Sequence, residues 1–481
     1  MSASFKVLKS SALILATNFL GRTLGIIGTL ICARILTPFD FGIIALMTIC
    51  IHFFDAMANI GSQQYISQKK EITSEDINTA WTLDIASKAF FFAALLVLSP
   101  ILGSFFDEPK LAQAIIFGSL IIPIQALKNP DLMRLTREID YRLIFILNTI
   151  SKLISFIALL SLAVILKNYW AFIWSSLIYS TALTFGSYLI SNFRPSFCVR
   201  SARHQWQFSR WLFVRSFIGY IRSQIDNFLV SKNFDTSNLG GYNTTRDIAL
   251  LPAISMIAPM VEPLLATVAR SRENAEDLAY RVRLSLSILL SILIPIATFI
   301  FLYPNLIVEV LLGRQWLPYS YLMVPFSLYF FTFCLFELVS NTVIALGKVR
   351  ALFIFDLTST TIIAIVLINF ANDSLLTMAW YRGVLAILTT IVLLIFLNQW
   401  TGFGHAKLLY LVIPAIFGTT LGASLTMTMN LGEIHGFWEL AVRGSLFLIT
   451  SGLITIGTAS LMLRKTQEWR QIQYILKQLK R

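Results

Sequence analysis

Charge is what this sequence has least of. Only 13% of its 481 residues are Asp, Glu, Lys or Arg, where a soluble chain carries about a quarter, and the shortfall excludes a water-soluble globular protein. Cysteine is almost as sparse. Cys32, Cys50, Cys198 and Cys334 lie far apart and form no CxxC pair, which excludes a dithiol redox site and a small disulfide framework. The four histidines, His52, His204, His405 and His435, are scattered. No Gly-rich phosphate loop, nucleophile elbow or zinc spacing occurs. The chain is therefore read as no enzyme, with no catalytic residue, metal or cofactor. The start, "MSASFKVLKSSALILATNFLGR", has no short apolar core followed by a small-residue cleavage site, so it is read as a retained first helix.

What is present is apolar sequence. Hydrophobic residues make up 56% of the chain, in blocks of about twenty, each long enough to cross roughly 30 Å of hydrocarbon as a helix. Hydropathy places about fourteen spans: 11–33, 41–62, 80–104, 111–128, 143–166, 169–191, 209–231, 240–266, 282–303, 319–345, 351–371, 375–397, 408–429 and 437–463. The expected class is an all-α polytopic membrane protein.

Basic residues in short loops stay on the cytoplasmic side. With the N-terminus inside, the inner segments hold 25 of the 38 Lys and Arg residues and the outer loops hold five, Arg34, Lys110, Lys167, Lys232 and Arg314. Both termini are therefore expected in the cytoplasm. This topology also accounts for the net charge of +13 without nucleic acid. The remaining eight cations, Arg22, Lys88, Lys152, Arg215, Arg222, Arg246, Arg382 and Arg443, fall inside spans. A cation at the centre of a membrane helix costs about 2.5–3.5 kcal/mol, so each is expected to face an acid or a wet cavity. Asp84 with Lys88, Arg222 with Asp226 and Glu439 with Arg443 stand one helical turn apart and can neutralise each other. Arg22 has no acid within four positions.

A shift of 198 residues brings Gly21 onto Gly219, Arg34 onto Lys232 and Phe41-Gly42 onto Leu239-Gly240. Each copy opens a set of six spans, and an even number keeps the two copies parallel in the membrane. The expected organisation is two six-helix bundles around a central cleft, 1–200 and 201–400, then two further helices over 401–463 and a basic amphipathic tail over 464–481. In that tail Trp469, Ile472, Leu476 and Leu479 recur at helical intervals, as in a helix lying on anionic lipid. Gly21 and Gly25 form a small-xxx-small face for helix packing.

The stretch "NFLGRTLGIIGTLICARILTPFDFGIIALM" (18–47) resembles the start of the Wzx-type oligosaccharide flippases, polysaccharide exporters of the MOP superfamily. "GYIRSQIDNFLVSKNFDTSNLGGYNTTRDIALLP" (219–252) is similar to the corresponding second-half stretch. The resemblance implies a flippase carrying an undecaprenyl-pyrophosphate-linked oligosaccharide repeat unit from the inner to the outer leaflet of the bacterial cytoplasmic membrane by alternating access, for O-antigen, capsule or exopolysaccharide. Its partners would be that lipid-linked oligosaccharide, membrane lipids and a polysaccharide polymerase. Arg22 falls where related lipid II flippases also place an arginine. Arg222 and Arg246 are its expected second-repeat counterparts, with Arg215 nearer the entrance. Arginine stays charged in the membrane and grips phosphate oxygens through paired hydrogen bonds, and Tyr220 and Tyr242 are candidates to stack on sugars. Asp55, Asp226 and Asp247 are the candidate ion-coupling carboxylates, Asp55 sharing a helix face with His52.

The alternative is a multidrug or metabolite antiporter of the same superfamily, which would centre its cleft on acids, whereas this first helix offers Arg22. A polysaccharide polymerase or ligase would need a developed outer-face site, and the connection at 304–318 carries no paired carboxylates.

Overall fold

The computed structural model describes residues 3–69, 71–138, 141–254, 274–370, 373–429 and 435–479, and within these the side chains of 3–9, 11, 67–68, 204, 206–219, 222 and 474–479 are outside the description. Helix is the only regular structure among the described residues, as expected of a chain that must satisfy its backbone polar groups inside lipid. It divides into two compact units, Met1–Asn243 and Thr244–Arg481.

In the first unit α1 (Ala3–Ile35) leads to α2 (Pro38–Ala58), α3 (Ser62–Gln68), α4 (Ser74–Phe105), α5 (Pro109–Gly118), α6 (Ile121–Ala126), α7 (Asp131–Arg137), α8 (Arg142–Leu166), α9 (Trp170–Leu189), α10 (Ala202–Asn233) and the start of α11 (Thr236–Pro252). The second unit continues with α12 (Ala275–Leu302), α13 (Pro304–Leu311), a 3-10 stretch over Arg314–Leu322, α14 (Met323–Ala345), α15 (Val349–Phe370), α16 (Leu375–Thr401), α17 (His405–Thr428), α18 (Phe437–Met462) and α19 (Gln467–Leu479).

Among the described residues eleven helices are long and apolar enough to cross a membrane. The other three expected spans have separate reasons. The 169–191 span forms α9, whose Ser, Thr, Trp and Tyr residues dilute its apolar character. The 209–231 span lies in α10, which carries Arg and Lys along its length. The 240–266 span begins as α11 and runs into residues outside the description, with Pro259, Glu262 and Pro263 among them.

The repeat reappears in the element boundaries. Helix α1 ends at Ile35 and α10 at Asn233, while α2 starts at Pro38 and α11 at Thr236, so both boundaries recur after 198 residues. The reason is local in the first copy. Thr37 and Asp40 form a capping box, Thr37 N–H and hydroxyl donating to Asp40 Oδ2 at 3.0 and 2.7 Å, and Pro38 sits at the first helical position where no N–H is needed. A second capping box, Thr73 with Asp76, starts α4. Asp76 also accepts from Lys69 Nζ at 2.7 Å and Ser201 Oγ at 3.1 Å, tying α3 and the entry to α10 onto α4. That bond to Asp76 holds the Lys69 ammonium above its usual range.

In the second unit α17 lies close on α18. A methyl on Gly418 would overlap Thr455 Oγ1 and stand 2.7 Å from the Ser451 carbonyl, and one on Gly422 would stand 3.0 Å from Ser451 Cβ. Small residues replace side-chain bulk here so that two membrane helices can touch along their backbones. Gly418→Val is expected to cost about 1–3 kcal/mol or more by overpacking, read as a smaller monodisperse fraction after detergent extraction.

The start of the tail helix packs on the protein. Trp469, only 6% exposed, packs with Leu411, Ala459 and Leu463, and Ile472 lies against the same cluster. Glu468 meets Arg283 at 2.6 Å, and Arg283 also donates to the Phe403 carbonyl at 2.7 Å. The first turns of α19 are therefore docked on protein, with Trp469 in an apolar cluster and the buried acid matched by Arg283. The side chains of Leu476 and Leu479 lie outside the described residues. Glu468→Ala removes the acid from the half-buried Arg283, which keeps only the Phe403 carbonyl, at a cost of about 1–3 kcal/mol, so faster tail cleavage by a protease added to the detergent-solubilised protein is the expected result.

Candidate functional site

Helix α1 packs on α8, and α8 on α9. Between them lies a cavity of about 430 Å³ in the first unit, and it holds two of the eight membrane cations. Arg22 enters it from α1 and Lys152 from α8, with Asn18 and Asn148 on the wall and Tyr179 closing it from α9. No carboxylate is among the lining residues. The Lys152 ammonium stands 5.6 Å from the centre of the Tyr179 ring, an attraction that steers its long side chain without neutralising it. Thr149 also lines the cavity, and its buried hydroxyl has no hydrogen-bond partner, which leaves a polar group to be satisfied from the cavity side.

The glycines of α1 act differently from the expectation. Among the described residues Gly21 and Gly25 have nothing within 4 Å of where a Cβ would stand, so neither packs on a described helix. Gly21 instead lines the cavity, adding space next to Arg22. The close approach to α8 occurs at Gly28, where a Cβ would lie 3.2 Å from Leu159 Cδ2. A spacing rule alone does not say which glycines meet a neighbour.

The other intramembrane cations are placed in several ways. Arg246 pairs with Asp247 at 3.6 Å in the second unit. Arg443 binds Glu439 at 2.9 Å and the Thr426 carbonyl at 3.2 Å, so here the neutral local pair is found. Arg382 lies over the Tyr329 ring, 4.7 Å from its centre. Lys88 lines a second cavity of the first unit, about 350 Å³, with Asp84, Lys128 and several amide side chains. Asp84 there accepts a 2.7 Å bond from Ser62. The side chains of Arg215 and Arg222 lie outside the described residues, their backbone being part of α10.

Of the ion-coupling candidates, Asp226 is buried in α10, Asp247 is engaged with Arg246, and Asp55 is near enough to act electrostatically on Asp84. His52 is exposed on α2, and no bond joins it to Asp55. Tyr242 is fully buried and so presents no ring face to a sugar. Tyr220 donates its hydroxyl to the Ile49 carbonyl at 2.6 Å and packs edge-on against Phe53. The residue that sequence reasoning left out of the site is Lys152. Its signal was present, an unpaired cation inside a span, but nothing in the chain order linked it to Arg22.

A sequence profile described as "Polysaccharide biosynthesis protein" matches residues 31–321. An uncharacterized membrane protein in the cps region of Klebsiella pneumoniae is 24% identical over 323 residues, covering 66% of this chain and 66% of its own length. The lipopolysaccharide biosynthesis protein WzxC of Escherichia coli K12 is 22% identical over 301 residues, or 61% and 60% of the two lengths. The match thus spans slightly under two thirds of either relative. Among solved structures, the lipid II flippase MurJ in an inward closed conformation has a TM-score of 0.74 over 95% of this chain and 100% of its own, at 14% identity. This is a likeness of fold. With eleven apolar helices and bacterial relatives, the chain is a multi-pass bacterial membrane protein.

Proposed function

We propose that this chain, which belongs to the polysaccharide biosynthesis protein family, is a flippase that moves undecaprenyl-pyrophosphate-linked oligosaccharide repeat units from the inner to the outer leaflet of the cytoplasmic membrane by alternating access. The observation that carries the reading is the pairing of Arg22 and Lys152 in one cavity with no lining carboxylate. A lipid-linked diphosphate brings its own negative charge. Two cations lining one cavity offset the cost of taking it through a low-dielectric region, the guanidinium through directed hydrogen bonds and the ammonium as a point charge. A cationic drug would find the opposite polarity.

Arg246, Arg222 and Arg215 are proposed as further cations that bind the diphosphate during the cycle, Arg246 with its charge partly offset by Asp247. Asp55, Asp226 and Asp247 remain the carboxylates proposed for ion coupling, since acids within spans are the usual carriers. The imbalance of 25 inner against five outer cations supports cytoplasmic termini. The glycan would serve O-antigen, capsule or exopolysaccharide, with a polymerase taking it up on the outer side.

The test is complementation in a host whose own oligosaccharide flippase is deleted, run beside drug efflux in a strain without its own pumps. Restored surface polysaccharide with no efflux is the expected result. Efflux without polysaccharide would mean an antiporter.

A further inference from the structure

Asp84 and Lys88 stand one turn apart on α4, the spacing of a pair that neutralises itself. The structure does not close that pair. Asp84 accepts the Ser62 hydroxyl at 2.7 Å, and among the described residues neither the Lys88 nor the Lys128 ammonium makes a hydrogen bond or an ion pair. All three residues line the cavity of about 350 Å³ in the first unit, together with Gln125, Asn148 and Trp81. An ammonium carries three donors, so both lysines have bonding capacity that the cavity itself must satisfy.

The charges point away from an ion as the occupant. Asp55 is near enough to act electrostatically on both Asp84 and Lys128, so acids and ammonium groups are balanced in and around this cavity. An anion or a cation would meet a like charge there. A neutral group that both donates and accepts meets none, and the neighbouring hydroxyls of a sugar ring are such a group. The amides suit the same ligand. Gln125 donates to the Ser180 hydroxyl at 3.2 Å and Asn148 to the Ile144 carbonyl at 2.8 Å, bonds that fix both side chains and use only part of their capacity. Trp81 is buried with its ring centre 5.2 Å from that of Phe197, and it supplies an apolar wall. The volume is at the small end for ligand pockets, about 300–1,000 Å³, which suits a single ring. Asn148 decides which ring. It lines both this cavity and the one that holds Arg22 and Lys152, so the two meet at one side chain of α8. In a lipid-linked oligosaccharide only the first sugar is bonded to the diphosphate, and it alone is held that close.

We infer that the second cavity binds the uncharged sugar ring bonded directly to the diphosphate, with Asp84, Lys88, Lys128 and Gln125 reading its hydroxyls. The inference rests on the reading of the first cavity as the diphosphate site. Its consequence is selectivity for the first sugar of the repeat unit, set by residues that the diphosphate does not touch.

Binding to the purified full-length protein in detergent tests it with four probes, undecaprenyl diphosphate alone and the same lipid bearing glucose, galactose or N-acetylglucosamine. At least one sugar-bearing lipid is expected to bind about tenfold more tightly than the bare lipid. Lys88→Gln and Lys128→Gln should each remove most of that gain while the bare lipid binds as it does to the parent. Arg22→Ala should instead weaken all four alike. Equal affinity of the parent for the four lipids overturns the sugar site and leaves the diphosphate reading standing, and this comparison needs no variant to fold. A sugar gain that survives both lysine changes overturns it as well. Binding of none of the four by the parent overturns the diphosphate reading, and this inference with it.

Discussion

Arg22→Ala is expected to lower export of lipid-linked oligosaccharide about a hundredfold while leaving the amount of protein in the membrane unchanged. The size follows from losing two charge-assisted hydrogen bonds to a diphosphate, about 2–4 kcal/mol. Folding should tolerate the change, since Arg22 is exposed toward the cavity. Arg22→Lys keeps the charge and loses the fork, so it should restore most of the rate to within about tenfold of the parent. Lys152→Ala should cost about tenfold on the same scale. If both cations hold one diphosphate, the double variant will fall short of the sum of the two single effects, because the second loss removes a contact the first has already weakened. Surface polysaccharide measured against immunoblot level checks all four. Normal export by Arg22→Ala would end the assignment of this cavity to the cargo.

Asp40→Ala should be the most damaging single change for stability in the first unit. Its carboxylate accepts three bonds, from the Thr37 N–H, the Thr37 hydroxyl and the Tyr169 N–H, and it is 7% exposed. Removing it uncaps α2 and strands the buried N–H of Tyr169, together about 2–4 kcal/mol. Asp40→Asn keeps one acceptor and should cost about half as much. The contrast with the second copy is informative. Asp235 is exposed and bonds only the Asn238 N–H, at 2.7 Å, so Asp235→Ala should cost no more than about 1 kcal/mol. Thermal midpoints in detergent for the three variants check the order, and an Asp235→Ala loss as large as that of Asp40→Ala would contradict it.

These two residues also mark how much could be read ahead of the structure. The motif "TPFDFG" announces a helix start from spacing alone, because a capping box is a matter of four consecutive residues. That Asp40 also receives the backbone of Tyr169 is a contact between distant parts of the chain, and no local pattern encodes it. Gly21, Gly25 and Gly28 show the same limit. Their spacing says that small residues share a helix, while only the neighbour's position decides that Gly28 packs and Gly21 opens a cavity. The tail was legible as amphipathic, but the docking of its start through Trp469 and the Arg283–Glu468 pair joins residues far apart in the chain, which no local pattern encodes.

The class, eleven of the fourteen expected spans, the 198-residue repeat and the list of cations inside spans were legible in the sequence itself. Each of these is a one-dimensional property: hydrocarbon thickness sets the block length, and the cost of a buried charge makes every intramembrane cation conspicuous. Which cations stand together was decided only in three dimensions. Arg22 and Lys152 line one cavity because α1 packs against α8, whereas Arg443 is neutralised within its own helix. The physical reason is that a charge is costly wherever it is buried, but its partner is set by how neighbouring helices pack, and that depends on residues far from it in the chain.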